Sequence, residues 1–366
     1  AAVGRTATSA GVSPLGQATY SIPIVAPPGS AQLAPKLAFS YGHLNTQTLN
    51  GVGWSIAGLS TIARCGKTKA QDGLTVGVLL TNEDRFCLDG NQLKLFSGTY
   101  GANASEYRTE IETYARIRAF DNGGAGYVPS VGPQWFEVYA KDGLIYEYGG
   151  TENSRVQVLS TTIPRQWALS KVRDRSGNYI AFTYSVDVSN GAYRIAKVEW
   201  TGNAALGVSP MYDITFVYQS KPAGEIDAGY YEGSSVKEIN RLQRVDVTYH
   251  ESATSLLIRR YNLNYESTLS STGKSRLANI EECAGATGTE CLAPTTFSYQ
   301  NGTNGVAGEI ASSNSIATAA NALSIDVNGD GKRDLVYSSS ATSGAGNWLI
   351  AYGTSGGGVA APVDTG

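Results

Sequence analysis

One pattern returns four times between residues 169 and 299, and it limits what this chain can fold into. A strand carrying Leu/Ile-x-x-Val/Ile leads, through a turn or an excursion, to a strand ending in Phe/Leu-x-Tyr. Leu169-Ser-Lys-Val172 leads to Phe182-Thr-Tyr184, and Ile195-Ala-Lys-Val198 leads to Phe216-Val-Tyr218. Leu242-Gln-Arg-Val245 leads to Leu263-Asn-Tyr265, and Leu277-Ala-Asn-Ile280 leads to Phe297-Ser-Tyr299. Such recurrence predicts successive hairpins added to one continuous sheet. Ordinary alternation in any β-protein is the competing reading, and the repeated final triplet weighs against it.

The rest of the chain has the same character. Ala18, Tyr20, Ile22 and Ile24 alternate, then Leu37, Phe39 and Tyr41, with Pro27-Pro28-Gly29 between them. This reads as strand, turn, strand. In Gly51-Val-Gly-Trp54 the glycines point to tight turns or close backbone packing around the indole. Further short strands are expected at Trp135–Tyr139, Ile145–Tyr148 and Tyr212–Tyr218, and no window gives a long amphipathic helix. With 43 Gly and 22 Tyr against 8 Phe, the expected class is all-β. Residues 1–16 read as a loose arm and 17–305 as an extended, strongly bent antiparallel sheet. Residues 301–323, rich in Asn, Gly, Ala and Ser, look like a linker. Residues 306–366 are expected to form a separate calcium-binding unit.

Charge excludes some functions. Charged residues make up 16% of the chain and the formal net charge is −3. That gives no overall footprint for nucleic acid or an anionic membrane. No stretch approaches the ~20 apolar residues of a membrane helix. No secretory leader is present, and Ala1-Ala2-Val3-Gly4 fits a mature end left by cleavage, though an arbitrary boundary would read the same way. The four cysteines fall into local pairs, Cys65 with Cys87 and Cys283 with Cys291. That suits two disulfides in an oxidising compartment, with buried free thiols as the alternative. A secreted or cell-surface location is therefore expected.

The sharpest motif is Asp326-Val-Asn328-Gly-Asp330-Gly331-Lys332-Arg333-Asp334. Side-chain oxygens fall at positions 1, 3, 5 and 9, with Gly at 6, as in the first part of an EF-hand loop. Ca²⁺ wants six to eight oxygens, and alternate residues of a curled loop point inward. The expected ligands are Asp326, Asn328, Asp330 and Asp334, with the carbonyl of Lys332. Position 12 is Tyr337 rather than the usual bidentate Glu, so the loop leads into a strand and its role is structural.

Candidate catalytic groups are few. The chain has two histidines, His43 and His250, and each reads as a surface or packing residue. Gly-x-Ser-x-Gly, phosphate-loop and His-Glu-x-x-His motifs are absent. Glu110 and Glu112 would share one strand face, which makes a glycosidase-like pair conceivable, but a solvated face is the simpler reading.

Several runs carry a resemblance. Gly16-Gln-Ala-Thr-Tyr-Ser-Ile-Pro-Ile24, Pro35-Lys-Leu-Ala-Phe-Ser-Tyr41, Gly51-Val-Gly-Trp54 and Arg64-Cys65 resemble the N-terminal domain of SpvB-type virulence proteins and of the B components of insecticidal toxin complexes. Asp84-Arg-Phe-Cys-Leu-Asp-Gly90 resembles the segment that follows it in such proteins. The hairpin pattern resembles Rhs/YD repeats, and the Asp326 loop an FG-GAP/VCBS propeller blade. In that family a propeller and long Rhs repeats follow, building a hollow β-shell around a toxic C-terminal segment. The resemblance implies a non-enzymatic scaffold that docks other parts of a larger toxin or partner subunits; the family's ADP-ribosyltransferase motifs are not matched. One calcium blade is too few for a closed propeller, which takes about four or more. A longer natural chain, or completion by another chain, is therefore expected. The alternative is a Ca²⁺-dependent surface adhesin or carbohydrate-binding module, with glycans as partners.

Overall fold

The computed structural model describes all residues except 1–3, 15, 44, 46–48, 122–130, 226, 252–253, 301–321, 341–345 and 357. The chain divides into two compact units, Ala1–Gly302 and Thr303–Gly366. Most of the expected linker lies outside the described residues.

The first unit opens with a four-stranded antiparallel sheet, β1 (Ser9–Val12), β2 (Ala18–Ile24), β3 (Leu37–Gly42) and β4 (Trp54–Ala57). The hairpin expected on either side of Pro27-Pro28-Gly29 is present, with Ile24 opposite Leu37. Within the segment read as a loose arm, Ser9–Val12 is instead an edge strand paired with Ala18–Ser21.

Next come β5 (Thr61–Cys65), β6 (Arg85–Leu88), β7 (Asn91–Ser97), β8 (Glu106–Thr109), β9 (Arg116–Phe120), β10 (Trp135–Tyr139), β11 (Ile145–Tyr148), β12 (Arg155–Gln157) and β13 (Pro164–Arg173). The sequence reading expected one extended, strongly bent sheet here. The pairing instead closes a barrel of eight strands, β5 to β11 and then β13 back to β5. The ten residues of β13 make this possible. Gln166–Ala168 pairs with β5, while Leu169–Arg173 pairs with β11. Closure removes free edges and surrounds a core on all sides. Phe86, Leu93, Tyr107, Ile117, Phe136 and Trp167 are fully buried inside. Phe86 meets Phe136 and Trp167 edge to face, each at 5.4 Å between centroids. Such geometry adds about 0.5–1.5 kcal/mol per pair beyond area burial.

From the far end of β13 the sheet continues through β14 (Asn178–Asp187), β15 (Ala192–Asn203) and β16 (Tyr212–Ser220). A small hairpin, β17 (Ala228–Tyr231) and β18 (Ser234–Lys237), interrupts it. The sheet then resumes with β19 (Asn240–Glu251), β20 (Thr254–Tyr265) and β21 (Leu277–Ala284), ending in the short β22 (Glu290–Cys291) and β23 (Thr295–Thr296). The four sequence repeats are these hairpins. Each repeat tyrosine donates its hydroxyl to the carbonyl that opens its own repeat: Tyr184 to Leu169 at 2.8 Å, Tyr218 to Ile195 at 2.6 Å, Tyr265 to Leu242 at 2.6 Å and Tyr299 to Leu277 at 3.0 Å. The ladder also shifts register immediately before Tyr184, Tyr218 and Tyr265. These shifts fall at the opening residues of the following repeats, Ile195, Leu242 and Leu277, and a shift opposite Tyr148 falls at Leu169. A bulge disrupts the ladder there, and the tyrosine of the same repeat supplies a donor to the carbonyl. In three repeats the residue before the opening Leu or Ile is an arginine lying over that tyrosine ring: Arg194, Arg241 and Arg276. Burial raises these phenols, Tyr299 to about 12, so they remain donors at physiological pH.

The N-terminal sheet is part of the same core. Phe39 meets Tyr261 edge to face at 5.7 Å, and Trp54 packs on Phe297 at 4.7 Å. The Trp200 indole donates to the Pro27 carbonyl at 3.1 Å. The expected close approach around Trp54 is present. Gly51 and Gly53 have φ of +89° and +81°, and a Cβ on Gly53 would lie 2.5 Å from the Tyr41 ring.

The second unit is an antiparallel meander of β24 (Leu323–Ile325), β25 (Asp334–Ser338), β26 (Trp348–Ala351) and β27 (Val363–Asp364).

Candidate functional site

The two signature segments of the barrel meet at one buried ion pair. Arg64 on β5 and Asp84 just before β6 lie 3.0 Å apart, with side chains 0% and 2% exposed. Isolated charges at such depth are prohibitive unless every polar atom is satisfied. Here they are well supplied. Arg64 donates to the carbonyls of Pro164 and Thr81, each at 2.7 Å, and to Val131. Asp84 accepts the backbone N–H groups of Leu79 at 2.8 Å and Thr81 at 3.2 Å. The guanidinium lies 5.5 Å from the Trp167 ring centre and 5.8 Å from that of Phe86. Burial lowers its proton affinity, and the Asp84 carboxylate opposes that shift. Cys65 and Cys87 are disulfide-bonded beside this pair, and Asp89 accepts from the Thr61 N–H at 2.9 Å and the Ser60 hydroxyl at 2.6 Å. Arg64, Cys65, Asp84, Cys87 and Asp89 of the signature are thus each engaged in ties along the barrel seam. The second cysteine pair, Cys283 and Cys291, is also bonded, across β21 and β22.

The Asp326 loop leads from β24 into β25, as expected. Asp326 accepts the N–H groups of Gly329 at 2.7 Å and Gly331 at 2.8 Å. Asn328 accepts from Asp330 at 3.0 Å, and Asp330 from Lys332 at 2.9 Å. Asp334 is buried and joins the loop to the segment after β26, accepting from the N–H groups of Val327 at 2.9 Å and Gly353 at 2.7 Å. Gly329 and Gly331 have φ of +77° and +80° with open space where a Cβ would stand, so the requirement there is conformational rather than steric. The Lys332 ammonium donates to Asp330 at 2.8 Å and holds that carboxyl below its usual range. The three aspartates share one loop, but among the described residues the metal-type side chains that converge in a group of three are Glu281, Cys283 and Cys291. Both of those cysteines are consumed by their disulfide. The donor chemistry of the Asp326 loop, all hard oxygen, fits Ca²⁺.

The remaining sequence candidates separate. Glu110 and Glu112 do not share a strand face: both follow the end of β8, in an exposed turn where Glu110 accepts from Gln71 and Glu112 from the Tyr114 N–H at 2.6 Å. Their side chains are thus engaged with local partners. His43 accepts from the Ala18 N–H at 3.2 Å. His250 stands between Asp213, 2.5 Å from its Nε2, and Ser255, 2.9 Å from its Nδ1. Sequence reasoning missed this Ser–His–Asp cluster, because only strand register places His250 opposite Ser255 and brings Asp213 alongside. Among the described residues no helix is long and apolar enough to cross a membrane.

A closed β-barrel continued by tyrosine-locked hairpins defines an all-β module. The SpvB family profile, described as Salmonella virulence plasmid 65kDa B protein, matches residues 12–205, more than half of the chain. The chain belongs to this family. No curated protein matches it. Among solved structures it is similar to TcdB2-TccC3, with a TM-score of 0.71 and 16% identity over 98% of this chain and 20% of that one. The Photorhabdus luminescens Tc holotoxin pore gives a TM-score of 0.68 at 16% identity, covering 98% of this chain and 19% of that one. The N-terminal domain of the effector SpvB from Salmonella typhimurium strain LT2 gives 0.52 at 19% identity, covering 70% of this chain and 96% of that one. The chain thus spans about a fifth of the length of the toxin-complex chains.

Proposed function

We propose that this chain is a non-enzymatic scaffold module of a secreted toxin-complex-like protein, supporting assembly or docking of other parts of that protein or of partner subunits. The observation that carries this reading is the Arg64–Asp84 seam. Arg64 and Asp84 of the family's signature are buried in ties that hold a closed barrel, where they are unavailable for chemistry. The likeness to chains five times longer supports the same reading. An intact mass near 38.5 kDa for the natural protein would overturn the module reading, and a much larger mass is expected. Turnover in a broad ester, peptide and glycoside screen that disappears in Ser255→Ala would overturn the non-enzymatic part.

The second unit acts in this reading as one Ca²⁺-stabilised propeller blade of the FG-GAP/VCBS kind. Asp326, Asn328, Asp330 and Asp334 would hold the ion with the Lys332 carbonyl, and its charge would offset the repulsion among the carboxylates. The four-stranded meander and the all-oxygen loop support this assignment. Saturating Ca²⁺ should stabilise the unit by about 2.7 kcal/mol at 100 times Kd, and Asp330→Ala should abolish that gain. Identical melting in Ca²⁺ and in chelator would refute the metal site.

A further inference from the structure

On the outer face of β7 to β10, Lys94, Arg116 and Arg118 stand beside carboxylates that are already engaged by other cations. Side chains alternate along each strand, so the neighbours of the buried Tyr107, Ile117 and Phe136 point outward. On that face the carboxylates are already engaged. Glu106 pairs with Arg108 at 2.8 Å, and Glu137 and Glu147 pair with Arg173 at 2.7 and 2.8 Å. Arg118 stands directly opposite Glu106 and Glu137 in the ladder, but those carboxylates are taken by Arg108 and Arg173, and neither Arg116 nor Arg118 has a carboxylate at ion-pair distance among the described residues. They lie instead over Tyr139 at 4.3 Å and Phe120 at 5.2 Å. Lys94 stands directly opposite Arg108 across the β7–β8 pair. Like charges facing each other across strands are destabilising, and here a chain of net charge −3 keeps them together.

The arrangement also says what kind of anion it suits. Phe120 is stacked on Trp135 at 4.4 Å, and Arg108 lies 4.3 Å over Phe96. These ring faces are occupied by guanidinium groups or by each other, so they are not open platforms for sugars or bases. What remains on offer is the guanidinium N–H donors of Arg116 and Arg118, two residues apart on one face of β9, and such planar donor forks suit carboxylates. We propose that this face docks an acidic polypeptide segment, with Arg116 and Arg118 as the central contacts and Lys94 at one side.

The test uses the full chain, a fluorescently labelled oligo-glutamate of about 15 residues, and anisotropy at physiological salt. The probe should bind, and affinity should fall steeply as salt is raised. Arg116→Gln with Arg118→Gln should weaken binding at least tenfold, while Lys36→Gln with Lys237→Gln, an equal loss of charge on exposed residues elsewhere, should leave it within twofold. Melting curves of both double variants check that the fold is retained. If melting shows that the first pair unfolds the barrel, charge-retaining Arg116→Lys with Arg118→Lys replaces it, and a loss of at least threefold is expected from the missing bidentate donors. No binding by the parent chain, equal loss in the two Gln variants, or binding of a sulfated oligosaccharide in preference to oligo-glutamate would each overturn the proposal.

Discussion

The barrel and the C-terminal meander are both antiparallel sheets of short strands, but they are held by different forces. In the barrel every strand has two neighbours, and its inward side chains enclose one another, with Phe86, Ile117 and Trp167 fully buried. The meander is a single layer with two faces. Its Tyr337, Ala351 and Asp334 are buried, while Leu323 remains 57% and Trp348 54% exposed. Its order is concentrated instead in the hydrogen-bonded Asp326 loop. A sheet that closes makes its own core; one that does not depends on local polar geometry or on something bound to it.

The contrast can be broken at the Arg64–Asp84 pair. Asp84→Ala leaves a buried guanidinium without its counter-charge, a loss of about 3–5 kcal/mol. Chemical denaturation should show the barrel transition collapsing while the meander keeps its own. If both units weaken together, they do not fold independently. The Cys65–Cys87 link should matter next. Replacing both with Ser releases a loop of sequence separation 22, worth roughly 3 kcal/mol on the chain-entropy account, and reducing agent should reproduce the effect in the parent. A single repeat tyrosine tests the sheet beyond the barrel. Tyr218→Phe removes one hydroxyl and orphans the Ile195 carbonyl, so stability should fall by about 1 kcal/mol. An unchanged denaturation midpoint would mean that water replaces the tyrosine.

The smallest effect expected is at Asp72 and depends on pH. Burial would push its carboxyl up, but the hydrogen bond from Arg85 at 2.6 Å, with those from the Thr68 N–H and Gln92, holds it down at about 2. A depressed folded value adds stability above the ordinary carboxylate range and loses it as pH falls toward 2. Asp72→Asn should therefore melt a few degrees below the parent at neutral pH, with the gap closing between about pH 4 and pH 2. A gap that does not change with pH would point to packing rather than charge.

Much of the architecture was legible along the chain. Alternation located β2, β3, β10 and β16, and the recurring Leu/Ile-x-x-Val/Ile and Phe/Leu-x-Tyr elements marked successive hairpins, because a side-chain period of two is written directly into strand sequences. The cysteine pairs were legible from local spacing, and the Asp326 loop from its ligand pattern. Barrel closure was not legible, since it depends on β13 pairing with β5, about a hundred residues earlier. Nor was the purpose of the signature: Arg64 and Asp84 were recognisable as marked residues, but not as each other's partner.

The sequence by itself determined the all-β class, the repeat hairpins, the glycine turns at 51, 53 and 331, and an oxygen-rich loop. These are local properties, set by backbone preference and by residues a few positions apart. Tertiary structure alone decided that the sheet closes, that each repeat tyrosine satisfies a bulged carbonyl, and that His250 meets Asp213 and Ser255. It also decided that Lys94, Arg116 and Arg118 stand on the barrel's outer face with no carboxylate at ion-pair distance among the described residues. Each of these depends on strand register, and register is chosen by the whole core at once, because a slip of one residue would turn every inward side chain to the other face.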